Sequence, residues 1–313
     1  MMHRSILAIV VGFAVTAASL AVSCRTTGTG ENARIERGRY LVNHVSLCFL
    51  CHSEVDWKRE GFPPLPGRAG VGGLWRDESV PFATLYAANL TPDETGIGSW
   101  SDAELDRAIR RGIGKDGRTL FPVMPYNAYR AMSDSDVAAV IAYLRSLVPV
   151  KNAVPARKLP AAVEVMLKPV EVMRPPEGRG HYLVQIADCF SCHTPLNPAM
   201  QANFDLAFGG GFIVKGPWGR VASPNITPDP SGIPHYDEAM FIRLMRTGTV
   251  GGRQVNGIMP WGHYRGMTDE DLKAMFGVIR ALRPVQHRVD NVEEPSKCPK
   301  CGTTHGLGKR NVR

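Results

Sequence analysis

Apolar residues recur along this chain at the spacing of short amphipathic helices, and they do so in two similar series. The stripes that mark the middle helix of each series are Leu105, Ala108 and Ile109, and then Phe241, Leu244 and Met245. Further helices are predicted over 35–45 and 178–186. The last helix of each series is predicted to begin at Ser133 or Thr268 and to run over 137–147 or 272–282. Long segments rich in glycine and proline separate them. The pattern therefore predicts an all-α fold, with three principal helices and long loops present twice.

Polar residues mark where these helices begin and end. Ser101 and Glu104 form the pattern of a capping box, and Asp237 is the matching N-cap of the second series. Gly112 and Gly248 follow the same two helices at the same register. Because glycine accepts the left-handed conformation at a helix end, we expect both helices to stop there.

The two series repeat one sequence pattern. Four segments recur in the same order at nearly constant spacing: 37–42 at 179–184, 48–52 at 189–193, 89–93 at 225–229 and 124–126 at 259–261. Constant spacing indicates one duplicated domain. We therefore predict two tandem domains, 35–150 and 177–286, joined by a linker over 151–176 that contains several prolines.

Each predicted domain contains a Cys-x-x-Cys-His motif, which is the c-type haem attachment signature. The residues are Cys48, Cys51 and His52 in the first domain and Cys189, Cys192 and His193 in the second. On a helical turn, two cysteines three apart reach the two vinyl groups of one porphyrin, and the following imidazole points at the iron. A redox cysteine pair does not require that histidine, and a zinc site requires four ligands. The sequence therefore predicts two covalently bound haem c groups with His52 and His193 as proximal ligands.

Two pairs of methionines occupy matched positions and are candidates for the sixth iron ligand. Met124 and Met259 lie in loops and precede proline, which favours an extended conformation that presents the thioether. Met132 and Met267 lie just before the last helices, where an apolar residue packs on the first turn. We therefore predict Met124 and Met259 as distal ligands. His/Met coordination raises the reduction potential and is typical of electron transfer.

The charge balance adds little to this picture. The chain of 313 residues contains 37 Lys and Arg against 29 Asp and Glu, which gives a net charge of +8. The basic residues are interspersed with acidic ones, whereas a nucleic-acid-binding protein would cluster them on one face. We therefore predict no nucleic-acid partner.

The N-terminus has the pattern of an export signal over residues 1–23. A basic start precedes a small, apolar stretch that ends at Cys24, and the pattern resembles a bacterial lipoprotein signal with Cys24 as the lipidated residue. Cleavage after Ser23 by a general signal peptidase and an uncleaved membrane anchor are alternatives. All three place the chain in the periplasm, with 24–34 as a flexible tether.

The polar tail over 287–313 contains a further cysteine pair, Cys298 and Cys301. Gly302 occupies the position of the haem-binding histidine, so this pair is not a third haem site. At most three zinc ligands lie close together, with His305 as the third. In an oxidising compartment a local disulfide is the simpler prediction.

On these motifs the chain resembles the dihaem members of the class I cytochrome c superfamily. The resemblance is to the cytochrome c subunits of bacterial membrane-bound alcohol, aldehyde and gluconate dehydrogenases. It rests on both Cys-x-x-Cys-His motifs, the Asn-[Leu/Ile]-Thr-Pro-Asp segments and the Met-Pro-[Tyr/Trp] loops, and it covers about residues 35–285. The resemblance also implies His52 and His193 as proximal ligands and Met124 and Met259 as distal ligands.

The expected function is electron transfer without substrate chemistry, so we predict that the chain is not itself an enzyme. The resemblance implies a dehydrogenase as electron donor and a quinone, an oxidase or another respiratory acceptor. The alternative is a dihaem redox enzyme, such as a peroxidase or a thiosulfate dehydrogenase. Such an enzyme would require one haem with an open distal side, and matched methionine loops in both domains argue against that.

Overall fold

The fold is described from a computed structural model. It covers residues 30–56, 58–59, 61–75, 82–216 and 219–289, together with the backbone of 296–297 and 304–305. The predicted signal 1–23, the candidate lipidation site Cys24 and the Cys298–Cys301 pair lie outside the described residues. No helix within these ranges is long and apolar enough to cross a membrane.

Five helices of the first half recur in the same order in the second half. Those of the first half are α1 (30–40, continued by the π-helical turn Leu41–Val45), α2 (Cys48–Cys51), α3 (Asp102–Arg111), α4 (Tyr126–Tyr129) and α5 (Asp134–Arg145). A single turn, α6 (Ala161–Glu164), lies between the halves. Those of the second half are α7 (Arg179–Ile186), α8 (Cys189–His193), α9 (Glu238–Thr247), α10 (Trp261–Tyr264) and α11 (Asp269–Arg280), with a 3-10 turn at Phe204–Leu206.

The structure is helix-rich, as predicted, but the prediction of an all-α fold omitted short strands. The described residues contain four two-stranded antiparallel sheets. They pair β1 (Gly73–Trp75) with β2 (Leu85–Ala87), β3 (Ile213–Gly216) with β4 (Gly219–Ala222), β5 (Thr249–Val250) with β6 (Arg253–Gln254), and β7 (Ser296–Lys297) with β8 (Thr304–His305). Strands of two to four residues carry too short an alternation to be seen in a sequence.

The helix ends agree with the sequence signals. Ser101 and Glu104 form the predicted capping box, in which Ser101 N–H donates to the Glu104 carboxylate at 2.7 Å and Glu104 N–H donates to Ser101 Oγ at 3.2 Å. Asp237 caps α9 through its side chain, which accepts from the N–H of Met240. Both helices end at a left-handed glycine, Gly112 and Gly248. Ser133 and Thr268 cap α5 and α11 through their side chains, as predicted, and both helices end two residues earlier than predicted.

A glycine allows the first and last helices of each half to cross at close range. A Cβ atom on Gly38 would collide with the carbonyl oxygen of Ala139 in α5, and one on Gly180 would collide with that of Ala274 in α11. Backbones can approach this closely only where no side chain intervenes. The crossing holds each attachment helix, α2 or α8, against the core of its half.

The π-helical turn at Leu41–Val45 holds one residue that has no counterpart in the second half. Cys48 comes six positions after Val42, whereas Cys189 comes five positions after Val184. The second half spans the matching stretch with a regular α-helix, α7. A π-turn absorbs a single insertion without moving the residues after it, so both cysteine pairs keep the same place in their halves.

Residues 151–176 run in a mostly extended conformation along the first half. Lys158 and Thr84 exchange both backbone hydrogen bonds, at 2.8 and 2.9 Å. Near the end of the linker, Met173 N–H donates to the carbonyl of Arg130 at 2.8 Å. The linker is therefore fixed to the first half by main-chain pairing as well as by side chains.

The two halves are joined by a reciprocal exchange of tyrosine hydrogen bonds. Tyr40 in α1 donates its hydroxyl to Asp271 Oδ2 of α11 at 2.5 Å, and Thr268 N–H donates back to Tyr40 at 3.2 Å. Tyr182 in α7 donates to Asp136 Oδ2 of α5 at 2.7 Å. Each half thus binds the N-terminal turn of the other half's last helix, as expected for a contact with two-fold symmetry.

Each of these aspartates also carries an ion pair within its own half. Arg37 donates two hydrogen bonds to Asp136, both at 2.8 Å, and Arg179 pairs with Asp271. Burial alone would raise the pKa of Asp136, but the bonds from Arg37 and Tyr182 hold it below its ordinary value. The carboxylate is therefore charged at neutral pH and is a strong acceptor for the tyrosine.

A second reciprocal exchange uses different side chains in the two halves. Gln185 Nε2 donates to the carbonyl of Ala128 at 3.2 Å, and His44 Nδ1 donates to the carbonyl of His263 at 3.1 Å. The Nε2 atom of His263 is buried and has no hydrogen-bond partner among the described residues. Burial lowers the pKa of His263 to about 4, and the charges of His44 and Arg265 act in the same direction.

The segments that precede the two attachment helices meet at this interface. Ser46, two residues before Cys48, donates its hydroxyl to the carbonyl of Ile186 at 3.3 Å. Tyr129 and Tyr264 reinforce the same segments within each half, because their hydroxyls donate to the carbonyls of Ser46 and Ala187. The buried apolar residues of both halves form one continuous core around this contact.

We predict that the tyrosine exchange stabilises the pairing of the halves. Tyr40→Phe and Tyr182→Phe should each lower the free energy of unfolding by about 1–2 kcal/mol, because each removes a hydrogen bond to a charged acceptor. Urea unfolding of the two single variants and the double variant measures this. Tyr143→Phe is the control, since the hydroxyl of Tyr143 accepts a long bond of 3.3 Å from Asn43. A double variant as stable as the wild type would contradict the prediction.

We also predict a pH dependence that originates at His263. The folded protein keeps this ring neutral down to a pKa of about 4, whereas the unfolded chain takes up the proton near 6.5. Protonation therefore favours unfolding. The free energy of unfolding should fall by at most about 3 kcal/mol as the pH is lowered from the unfolded pKa to the folded pKa of His263. His263→Ala installs the residue found at Ala128 in the first half. The free energy of unfolding of the wild type minus that of His263→Ala should fall as the pH is lowered from 7 to 4. A value that does not change with pH would rule out His263 as the origin of the pH dependence.

Candidate functional site

The four cysteines of the two attachment motifs are free thiols. Burial raises the pKa of Cys48 to about 12 and that of Cys51 to about 11. Burial also raises the pKa of Cys189 to about 12. A redox-active cysteine pair requires the opposite shift, because the thiolate is the reactive form. A thioredoxin-like role for these motifs is therefore disfavoured.

A zinc site is disfavoured as well. In the part of the chain that the structure describes, no group of three or more His, Cys, Asp or Glu side chains is placed to hold a metal ion. Structural zinc requires four such ligands in one place. The cysteines are therefore available for covalent attachment.

Both motif histidines have the same hydrogen bond to a backbone carbonyl. His52 Nδ1 lies 2.8 Å from the carbonyl oxygen of Ala88, and His193 Nδ1 lies 2.9 Å from that of Pro224. A carbonyl oxygen only accepts, so Nδ1 carries the proton in both rings. Burial lowers the pKa of both imidazoles, so they are neutral at pH 7. The lone pair of each ring is thus on Nε2, which suits a proximal metal ligand.

A buried asparagine fixes each of these carbonyls in place. Asn89 is 1% exposed and Asn225 is 2% exposed. Asn225 Oδ1 accepts from both the backbone and the hydroxyl of Thr227, at 2.9 and 2.8 Å, and its Nδ2 donates to the carbonyl of Val285 at 2.8 Å. Asn89 makes the same three bonds in the first half. The recurring Asn-x-Thr segment is therefore the support for the histidine's acceptor.

A glycine lets the histidine and its carbonyl acceptor approach each other. Gly72 N–H donates to the carbonyl of His52 at 2.8 Å, and Gly210 makes the matching bond to His193. A Cβ atom on Gly72 would lie 2.6 Å from the carbonyl oxygen of Ala87, and one on Gly210 would collide with Pro224. Both glycines have positive φ angles, of 76° and 73°. Any other residue would displace the carbonyl that orients the imidazole.

These supporting residues were not identified from the sequence. The Asn-[Leu/Ile]-Thr-Pro-Asp segments were recognised as repeats, but no role followed from them. An asparagine with a threonine two residues later is a pattern for a local side-chain turn, and that pattern was the available signal. No sequence signal marks the carbonyls of Ala88 and Pro224 as acceptors, because the role of a backbone carbonyl depends on where the fold places it.

The Met-Pro loops have the same construction in both halves. Met124 O accepts from Tyr126 N–H at 2.8 Å, and Met259 O accepts from Trp261 N–H at 2.7 Å. The aromatic rings of Tyr126 and Trp261 are buried at 3% exposure. Met124 and Met259 are partly buried at the edge of the core. Their assignment as distal ligands stays a prediction.

The other matched methionines lie inside the core. Met132 is 1% exposed and Met267 is 2% exposed. Both precede the N-cap of a last helix, Ser133 or Thr268, where apolar side chains pack on the first turn. Their burial is explained by packing alone.

The residues present therefore fit two haem c groups. Each half offers two free thiols on one helical turn, a neutral imidazole with its lone pair on Nε2 and a methionine loop at the edge of the core. Thioether attachment needs the thiols, and haem iron needs a neutral, oriented imidazole. Together these features define a c-type cytochrome.

Comparison with known proteins agrees with this class. No protein-family model matches the chain. One subunit of the nicotinate dehydrogenase of Pseudomonas putida is 39% identical over 187 residues, which are 54% of this chain and 15% of that protein. The cytochrome c subunit of the alcohol dehydrogenase (quinone) of Gluconacetobacter polyoxogenes is 30% identical over 287 residues, which are 83% of this chain and 58% of that protein.

A third relative matches over most of its own length. The diheme cytochrome c-type of Cereibacter sphaeroides is 31% identical over 216 residues, which are 64% of this chain and 68% of that protein. The chain belongs to the dihaem c-type cytochromes.

We predict that the buried asparagines stabilise the site. Asn225→Ala should lower the free energy of unfolding by about 3 kcal/mol, because it leaves buried backbone groups of Thr227 and Val285 unpaired. Asn89→Ala should act in the same way on the first half. Urea unfolding followed by circular dichroism measures both changes.

Asn197 provides the control for these variants. Its Oδ1 also accepts two backbone N–H groups, from Ala199 at 2.9 Å and Gln201 at 3.0 Å, but it does so in an exposed loop. Water can replace it there, so Asn197→Ala should change the free energy of unfolding by less than about 0.5 kcal/mol. Equal losses in the buried and exposed variants would contradict the supporting role.

Proposed function

We propose that the chain is a two-domain electron carrier with one haem c in each domain. Residues 35–150 form the first domain and residues 177–286 form the second. Cys48 and Cys51 attach one haem, and Cys189 and Cys192 attach the other. The bound haem supplies an iron that changes between Fe(III) and Fe(II). The protein's own residues hold, orient and shield it.

The observation that carries this proposal is the hydrogen bond from a motif histidine to a loop carbonyl, which is present in both halves. His52 and His193 are neutral and have the same ring nitrogen protonated. The same histidine–carbonyl hydrogen bond occurs in two separated segments. This repetition supports the binding of the same kind of group in each half. It also supports His52 and His193 as the proximal ligands.

Met124 and Met259 are proposed as the distal ligands. Both lie in loops of the same construction, and the alternatives Met132 and Met267 are enclosed in the core. A thioether opposite the imidazole raises the potential into the range of respiratory carriers. It also fills the coordination position that a peroxidase would need to keep open.

We further propose that the electrons come from a dehydrogenase and pass to a quinone, an oxidase or another respiratory acceptor. The names of the relatives support this, since one is the cytochrome c subunit of a quinone-dependent alcohol dehydrogenase and another is part of a nicotinate dehydrogenase. The chain spans 15% of the nicotinate dehydrogenase protein and 58% of the cytochrome c subunit, so their substrates are not carried over to it. Both names describe a subunit of a dehydrogenase, and this shared feature supports a dehydrogenase as the electron donor.

A periplasmic location is supported by the N-terminal sequence. We propose that the protein is held at the membrane by a lipid on Cys24 or by an uncleaved anchor. Mass spectrometry of the mature N-terminus distinguishes a diacylated cysteine from an intact leader, and a cut after Ser23 would show release into the periplasm. Haem attachment is tested on the same sample, because two haem c groups add two fixed mass increments to the polypeptide.

The methionine assignment makes a spectroscopic prediction. Met124→Leu and Met259→Leu should each remove the far-red absorption that arises from methionine bound to Fe(III) at one haem, and each should lower the potential of that haem. Met132→Leu and Met267→Leu are the matched controls, because they change core methionines to a residue of similar volume. Loss of the band in a control variant but not in the loop variant of the same half would reverse the assignment. A wild-type band whose intensity corresponds to only one of two haems would favour an enzyme with one open iron.

A further inference from the structure

The two attachment helices differ at the residue that precedes the first cysteine. This residue is Leu47 in the first half and Asp188 in the second. Both adopt the left-handed conformation, with φ angles of 50° and 55°. A position inside the motif also changes from apolar to polar, because Leu50 of the first half is matched by Ser191 of the second. The second site therefore has a polar pair where the first has two leucines.

This pair forms a direct hydrogen bond. Ser191 donates its hydroxyl to Asp188 Oδ1 at 2.6 Å. Burial raises the pKa of Asp188 to about 6, and the bond from Ser191 opposes that rise. No lysine or arginine among the described residues pairs with this carboxylate. Above neutral pH it is therefore a negative charge that no nearby cation of the described chain neutralises.

The charge of Asp188 reaches the thiols of its own motif. After burial, it is the next cause that raises the pKa of Cys189. Desolvation by neighbouring atoms and then Asp188 likewise raise the pKa of Cys192, although this residue is exposed. In the first half the pKa of Cys48 is raised by burial and by Cys51, with no contribution from a carboxylate. Asp188 also contributes to the raised pKa of Tyr129 in the first half, so its charge reaches across the interface. Among the motif thiols, however, it acts on Cys189 and Cys192 and not on Cys48 or Cys51.

We propose that Asp188 is a tuning residue that lowers the reduction potential of the haem in the second domain more than that of the haem in the first. The inference rests on the function proposed above. Fe(III) carries one more positive charge than Fe(II), so a fixed negative charge nearby stabilises the oxidised form. The asymmetry favours movement of an electron from the second domain toward the first, since free energy follows the difference in potential.

The test is a spectroelectrochemical titration of the full-length, haem-loaded protein at pH 8. Asp188→Asn removes the charge but keeps the oxygen that accepts from Ser191. We expect one of the two redox waves to move to a higher potential and the other to move clearly less. Ser191→Ala is the matched control, because it removes the hydrogen bond and keeps the charge. Its effect on the same wave should be smaller, and it should not raise the potential.

The reciprocal variant places the same pair in the first domain. Leu47→Asp with Leu50→Ser puts aspartate at a left-handed position, where aspartate is better tolerated than leucine. We expect this variant to lower the potential of the first haem more than that of the second. This double variant also tests the tuning role if the Asp188→Asn protein fails to attach its second haem.

The outcomes separate this inference from the proposed function. Two bound haems in the wild type, together with potentials that neither variant changes, would overturn the tuning role and leave the electron carrier intact. Equal shifts of both waves would also overturn it, because the effect would not be local. A wild type without two haems would overturn the proposed function itself.

Discussion

The hydrogen bond between a motif imidazole and one backbone carbonyl is the constraint on which the rest of this structure depends. The rings of His52 and His193 are neutral and carry the proton on Nδ1, because the group that faces that nitrogen is an acceptor. Asn89 and Asn225 hold the loop that supplies the acceptor, and each uses both polar atoms of its side chain to do so. In each half the long loop is thus held in place by hydrogen bonds, and it positions one carbonyl oxygen next to Nδ1 of the motif histidine.

The reciprocal contact between the halves has a different physical basis. Tyr40 and Tyr182 are amphipathic, so their rings pack in the interface while their hydroxyls reach a charged carboxylate of the other half. The same aspartates are paired with arginines of their own half, and for Asp136 this pairing keeps the carboxylate ionised in a buried position. The contact brings Ser46 and Ile186 together just before the two attachment helices. A carrier that passes electrons between two haems benefits from such fixed proximity.

The symmetry of the contact is not matched by the chemistry of the two sites. Asp188 places a carboxylate beside the second pair of thiols, where Leu47 presents an apolar side chain beside the first. His44 and Gln185 are also different kinds of side chain, although each donates a hydrogen bond to a backbone carbonyl of the other half. The two halves thus present similar motifs with small chemical differences around them, and the proposed tuning role of Asp188 rests on one of these differences.

The sequence by itself determined the two Cys-x-x-Cys-His motifs, the repeated segments and the helix ends, because these depend on local spacing. Cysteines three apart with a following histidine, and the capping residues of α3 (Ser101 and Glu104), act within one or two helical turns. Tertiary structure alone decided which carbonyl orients each histidine, which aspartate receives each tyrosine and how the segments before the two attachment helices meet. Those contacts join residues that are 31 to 231 positions apart. No periodicity records such pairings, since they depend on how closely helices can cross and on where buried polar groups find partners.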